Sequence, residues 1–150
     1  MMPSLKGARS TKMLASWMYV SRATFPTSDA NAVIEPIATL SLRRNAELEV
    51  TGALIFAVQH FAQYIEGPPA AVESLRTAIE RDSRHRSLHT VLDDRPECRR
   101  FGGWRIAYRG LATYVEKTIV SVEGPATGAA GGDAARLLRL FREFSLPHPR

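Results

Sequence analysis

Phe61-Ala-Gln-Tyr-Ile-Glu-Gly67 places an amide among apolar neighbours on a stretch that reads as a β-strand closed by Gly67, Pro68 and Pro69. Side chains alternate along a strand, so Phe61, Gln63 and Ile65 share one face. An amide on an apolar face must find hydrogen-bond partners or cost a few kcal/mol. Gln63 is therefore either a tied-down structural amide or the contact for a polar ligand. Immediately upstream, Val50 to Val58 forms a second strand, close enough for a tight hairpin with Gln59 and His60 at the turn.

Working outward, Leu14 to Ser21 is aromatic and alternating, with Ala15, Trp17, Tyr19 and Ser21 on one face and Leu14, Ser16, Met18 and Val20 on the other. Thr24 to Asp29 reads as a loop ending in helix caps. Val33, Ile37, Leu40 and Arg44, with Ile34 and Ser41, recur at helical spacing over Asn31 to Asn45, and Pro36 kinks that helix or marks its first turn. Pro69 opens a second helix whose stripe is Val72, Leu75 and Ile79, ending near Asp82. Leu88 to Leu92 supplies a fourth strand, and Phe101 to Tyr108 a fifth with Trp104, Ile106 and Tyr108 on one face. The order predicts an α+β fold, a ferredoxin-like βαββαββ sandwich with two helices on one face of a mixed five-stranded sheet. Gly124 to Gly132 reads as a linker, and Ala134 to Phe144 as a short helix capped by Asp133, with Leu137, Leu138, Phe141 and Phe144 as its stripe. Too short to stand alone in water, it must dock on its own sheet or on another chain. The expected divisions are a tail over 1–12, a sensor domain over 13–110 and an extension over 111–150.

The 150 residues, 45% hydrophobic and 23% charged, suit one soluble domain with a proper core. No apolar run reaches the ~20 residues a membrane span needs, and residues 1–12 lack a secretory apolar core, so a cytoplasmic protein is expected. A lone cysteine, Cys98, excludes an internal disulfide and a cysteine metal cluster. The four histidines show no metal-ligand spacing, and no metal site is expected. The net charge is +5, much of the positive charge is arginine, and a cluster runs from Arg95 to Arg109, but Asp93, Asp94 and Glu97 are interspersed. A solvated basic face is the preferred reading there, over a nucleic-acid surface.

In this topology the first and third strands lie side by side, so Tyr19 and Gln63 face the helices together. Asn45 ends the first helix and points toward the same space, and Asp82, Arg84 and His85 cluster at its mouth. Apolar walls, amides and outlying cations suit a flat heteroaromatic ring carrying phosphate. These residues, with Tyr19-x-Ser21, Ser41 to Asn45, Thr51-Gly52-Ala53-Leu54, Phe61-x-Gln63-x-Ile65-Glu66-Gly67, Asp82-x-Arg84-His85 and Phe101-x-x-Trp104, resemble the BLUF domain, the flavin-based blue-light sensor. The resemblance runs from about Met13 to Arg109.

The resemblance implies FAD held noncovalently between the two helices, with FMN or riboflavin as alternatives. It implies that Asn45 bonds the pyrimidine edge of the ring and that Gln63 sits between the ring and Tyr19. Arg84, with Asp82 and His85, would hold the pyrimidine carbonyl and ribityl end, Ile37 would pack on the ring, and Ser41 would support the site near Trp104. Tyr19 would lose an electron and a proton to the photoexcited flavin. Gln63 would relay the proton and settle rotated or as its tautomer, shifting the flavin absorption to the red. The signal would leave through Trp104 and Ile106 toward the C-terminal segment.

Two positions depart from the family pattern. Ile106 stands where a flexible methionine is usual, which bears on the output step or dark recovery. Arg44 stands where asparagine or histidine is common, and either pairs with cofactor phosphate or faces solvent. The expected protein is a short, stand-alone photoreceptor with no catalytic output domain, acting through a homo-oligomer or a downstream protein partner. The alternative is a light-insensitive ferredoxin-like module for protein or nucleic-acid interaction. A small acylphosphatase-like hydrolase would need an anion loop that Ser21-Arg22-Ala23-Thr24 only thinly approximates.

Overall fold

The computed structural model describes residues 13–122 and 130–145. In chain order these form β1 (Ala15–Ala23), a short 3-10 turn (Thr27–Asp29), α1 (Ala30–Glu47), β2 (Thr51–Ala57), β3 (His60–Gly67), α2 (Pro69–Glu80), β4 (His85–Asp94), β5 (Trp104–Gly110), α3 (Thr113–Val120) and α4 (Ala130–Ser145). The sheet order is β4-β1-β3-β2-β5. Every pairing is antiparallel except β2 with β5, which makes the sheet mixed. β3 occupies the centre, all of its residues are buried, and Tyr19 of β1 lies directly opposite Gln63.

Alternation sorts the strands into two faces, each covered by helices. On one face Trp17, Tyr19, Leu54, Ile65 and Trp104 pack under Ile34 of α1 and Val72 and Leu75 of α2. On the other, Met18, Val20, Ile55 and Tyr64 pack under Val115 and Ile119 of α3 and Leu137 and Phe141 of α4. The expected ferredoxin-like sandwich is thus present, with a third layer added. Gly52 permits the close approach of β2 to β3: at its φ of 151° a Cβ would lie 1.9 Å from the Tyr64 carbonyl oxygen. Gly67 likewise abuts the Glu49 carbonyl, where a Cβ would lie 2.8 Å from its oxygen.

Several local expectations change. The hairpin turn is Val58–Gln59, not Gln59–His60; Val58 takes the left-handed conformation with φ 58° and His60 already belongs to β3. Gln59 instead ties down the β1–α1 connection through bonds to the Phe25 carbonyl at 2.9 Å and Thr27 Oγ1 at 3.2 Å. No side chain caps α1 or α2. Pro36 sits inside α1 on an exposed face, where loss of one backbone bond is least disruptive.

β5 does not keep Trp104, Ile106 and Tyr108 on one face. Its pairing steps from Leu54–Ile106 to Ile55–Tyr108, so Ala107 is the extra residue of a bulge. Tyr108 therefore joins the opposite face, packing tilted against Phe144 with ring centroids 4.9 Å apart and accepting a hydrogen bond from the Ala112 amide. α3 was not foreseen: it has only eight residues, and its buried Val115 and Ile119 give a single helical repeat. α4 starts at Ala130, and Asp133 lies in its first turn, paired with Arg136, instead of capping it. Leu137 and Phe141 bury this helix on the chain's own sheet. Of the linker read at 124–132, residues 124–129 lie outside the described residues, as does the tail over 1–12; Ala130 to Gly132 are helical.

Candidate functional site

Tyr19 and Gln63 are 4% and 7% exposed, facing the space between α1 and α2. Trp104 Nε1 donates to Gln63 Oε1 at 3.1 Å, and Gln63 Nε2 donates to the Tyr19 hydroxyl at 2.7 Å. An indole nitrogen can only donate, so it selects the carbonyl end of the amide and leaves the NH2 for Tyr19. Trp104 thereby sets the amide's orientation. Burial drives the Tyr19 pKa well above the ordinary tyrosine value, against the lowering effect of the Gln63 bond and with further raising by the Asp82 charge. Tyr19 is accordingly a neutral phenol at any physiological pH.

A narrow cleft opens beside this chain of bonds. Its walls are Ile37, Leu40, Leu54, Phe61 and Ile79, and its polar lining is Tyr19, Ser41, Arg44, Gln63, Asp82, Arg84 and His85. The centre of a water molecule has about 90 Å³ of room inside. The helix positions follow the 3.6-residue period: Ile37, Ser41 and Arg44 are successive turns of one α1 face. At the mouth, Arg84 grips Asp82 with Nε at 2.9 Å and also donates its backbone amide. The Arg84 hydrogen bond, outweighing burial, holds the Asp82 carboxyl below the usual carboxylate range.

His85 is placed in the cleft wall, with both ring nitrogens engaged by protein. Nε2 lies 2.7 Å from the Ile79 carbonyl, which can only accept, so Nε2 carries a proton. Nδ1 lies 2.7 Å from Ser21 Oγ. The ring stands edge-on to Tyr19, with centroids 5.8 Å apart. Asn45 is 2% exposed on the last turn of α1, and its Oδ1 is buried without a partner. The structure thus gathers Tyr19, Gln63, Ile37, Ser41, Asp82, Arg84 and His85 around one cleft. Trp104 joins through Gln63, and Ile106 lies beside Leu54, two residue pairs further along β5.

Leu54, Phe61, Ile79 and Ser21 also build the site and were not singled out as site residues. The signal for two of them was in the alternation: Phe61 shares a face with Gln63, and Ser21 with Tyr19.

A family model described as "BLUF: Sensors of blue-light using FAD" matches residues 14–107. The chain belongs to the BLUF family. Members of that family sense blue light with a flavin. The BLUF chain is 41% identical over 69 residues to the blue light- and temperature-regulated antirepressor BluF of Escherichia coli, covering 46% of this chain and 17% of that protein. It is 36% identical over 89 residues to the photoactivated adenylate cyclase subunit beta of Euglena longa, covering 59% of this chain and 10% of that one. The chain therefore spans less than a fifth of the length of these relatives. Among solved structures it is similar to the dark state of BlrB, a BLUF protein, with TM-score 0.69 and 29% identity over 91% of this chain and 99% of that one.

The donor set fits a flavin. The buried, unpartnered Asn45 Oδ1 and Arg44 Nε are neighbours on α1, and Arg44 lines the cleft. Such orphaned groups cost free energy that a polar, hydrogen-bonding ligand offsets. Apolar walls complete the requirement of an aromatic ring.

Three of the five arginines from Arg95 to Arg109 are engaged with protein. Arg100 pairs with Asp94 at 3.0 Å, Arg109 with Glu35 at 2.7 Å, and Arg99 donates to Thr51. Among the described residues no helix is long and apolar enough to cross a membrane, and no cluster of metal-ligating side chains occurs.

Proposed function

We propose that this BLUF protein is a photoreceptor that binds FAD, with FMN and riboflavin as alternatives, and whose photochemical pair is Tyr19 and Gln63. The observation that carries this reading is the buried Tyr19–Gln63–Trp104 chain of bonds beside a cleft that Arg44 lines with a buried, unpartnered Nε. Asn45, Arg84, Asp82, His85, Ile37, Ser41 and Gln63 would hold the cofactor. When bound, the flavin supplies blue-light absorption and, once excited, a strong oxidant.

Tyr19 is the electron donor. Its raised pKa means that no proton leaves spontaneously in the dark; loss of an electron makes the phenol acidic and couples the two transfers. Gln63 serves as the relay, since an amide donates from nitrogen and accepts at oxygen. Rotation of Gln63 would turn its NH2 toward the Trp104 indole, donor against donor, and so break the Trp104 bond. That conflict gives the relay a mechanical consequence in β5, where Trp104 and Ile106 reside. From there the signal passes to the segment after residue 110 and on to an oligomer or a protein partner, without catalysis by this chain. The engagement of Arg99, Arg100 and Arg109 with protein groups weighs against the nucleic-acid alternative.

The test is an absorption spectrum of purified protein before and after blue light. A flavin spectrum that shifts reversibly to the red is expected. A colourless protein that takes up no flavin, or a bound flavin without the shift, overturns the reading.

A further inference from the structure

Two guanidiniums line the cleft, those of Arg44 and Arg84, against the single carboxylate of Asp82. Arg84 is committed to Asp82 through Nε and Nη2, so that pair is internally neutral. Arg44 has no carboxylate paired with it among the described residues, and its Nε is buried without a hydrogen-bond partner. The cleft thus carries a surplus positive charge on α1. A cation in the last turn of a helix is favoured by the helix dipole. That accounts for the charge but not for a half-buried guanidinium with an orphaned nitrogen, which a solvent-facing rotamer would avoid at little cost.

A guanidinium is a fork of donors matched to phosphate oxygens, and it binds them most strongly where water is partly excluded. We propose that Arg44 makes this cleft selective for phosphorylated flavins, FMN and FAD, over riboflavin. The inference rests on the photoreceptor reading, since it assigns the charge at that same cleft. It decides between the two roles open to Arg44 in the sequence, cofactor phosphate or solvent. The ring would be held by the apolar walls and amides common to all three flavins, while the guanidinium of Arg44 makes its strongest bond to the phosphate.

Equilibrium titration of the flavin-free full chain with riboflavin, FMN and FAD tests this, read by quenching of flavin fluorescence. The wild type is expected to bind FMN and FAD about tenfold or more tighter than riboflavin, the range of one charge-assisted hydrogen bond. That preference should shrink as ionic strength rises. Inorganic pyrophosphate should compete with FMN and not with riboflavin. Arg44→Gln should bring FMN and FAD down toward the riboflavin affinity, weakening them far more than it weakens riboflavin, and Arg44→Lys should restore part of the preference. Equal binding of the three flavins by the wild type overturns the proposal. So does a preference that survives Arg44→Gln, or an Arg44→Gln variant that loses riboflavin as much as FMN. If no flavin binds at all, the photoreceptor reading fails; if all three bind alike and still give the red shift, only the role of Arg44 fails.

Discussion

Two tyrosines on the two faces of the central sheet show why one residue type serves two ends. Tyr19 and Tyr64 are both buried, and burial raises the pKa of each well above the ordinary value. Tyr64 donates to the Glu66 carboxylate at 2.9 Å and accepts from Arg100 at 2.7 Å. Glu66 is fully buried and takes further bonds from Thr51 and from the Arg100 and Phe101 amides, pinning the loop that leads into β5. By local chemistry alone Tyr64 has the better proton acceptor. Tyr19 instead contacts an amide that can present either end, and it borders a cleft. A saturated ionic network has one arrangement; an amide between a phenol and an indole has more than one. Access and ambiguity, not acidity, mark the face proposed for photochemistry.

The largest expected effect tests that contrast directly. Tyr19→Phe and Gln63→Leu should each abolish the light-induced red shift while flavin remains bound, as read by difference spectroscopy; a full shift in either variant removes the proposed pair. Next in size, Glu66→Ala should cost about 3 kcal/mol or more, because it strands two buried amides and the Tyr64–Arg100 pair. Urea unfolding of the variant should show it, with Glu66→Gln markedly milder; near-wild-type stability of Glu66→Ala would break the account of that face.

A smaller effect is expected for Tyr64→Phe: about 1 kcal/mol of stability lost and the red shift intact. Loss of the shift there would erase the distinction between the two tyrosines. The smallest is a pH effect at the rim of the same network. Burial alone would raise the Asp94 pKa, but bonds from Arg100 and Ser16 outweigh it and hold the carboxyl below its usual range. A depressed folded-state pKa adds stability above the unfolded value and loses it as pH falls through the folded one. The stability gap between wild type and Asp94→Asn should therefore be present at neutral pH and close below about pH 4. A gap that widens in acid contradicts that sign.

Much of this architecture was legible because period-2 and period-3.6 patterns encode faces without reference to the rest of the chain. Trp17 and Tyr19 fall on one face of β1 and Met18 and Val20 on the other, as alternation requires. Val72 and Leu75 are buried on α2 as their spacing predicts. Tyr108 was misplaced because a bulge at Ala107 resets the alternation, and a bulge depends on the partner strand. Nor does any local pattern show that Ser21 Oγ and the Ile79 carbonyl flank the two ring nitrogens of His85. Those partners become visible only when β1, α2 and β4 are brought together.

Residue order alone determined the five strands and every described helix but α3, the apolar face of most of them, and the placement of Gln63 on the face it shares with Phe61 and Ile65. Local periodicity and turn chemistry suffice for that. The tertiary structure decided what Gln63 bonds: Tyr19, 44 residues away, and Trp104, 41 residues away. It also decided that α4 covers its own sheet and that Arg44 lines the cleft with a buried nitrogen unpartnered. Hydrogen bonds are short and directional, so their partners depend on strand order and register, which no local pattern carries.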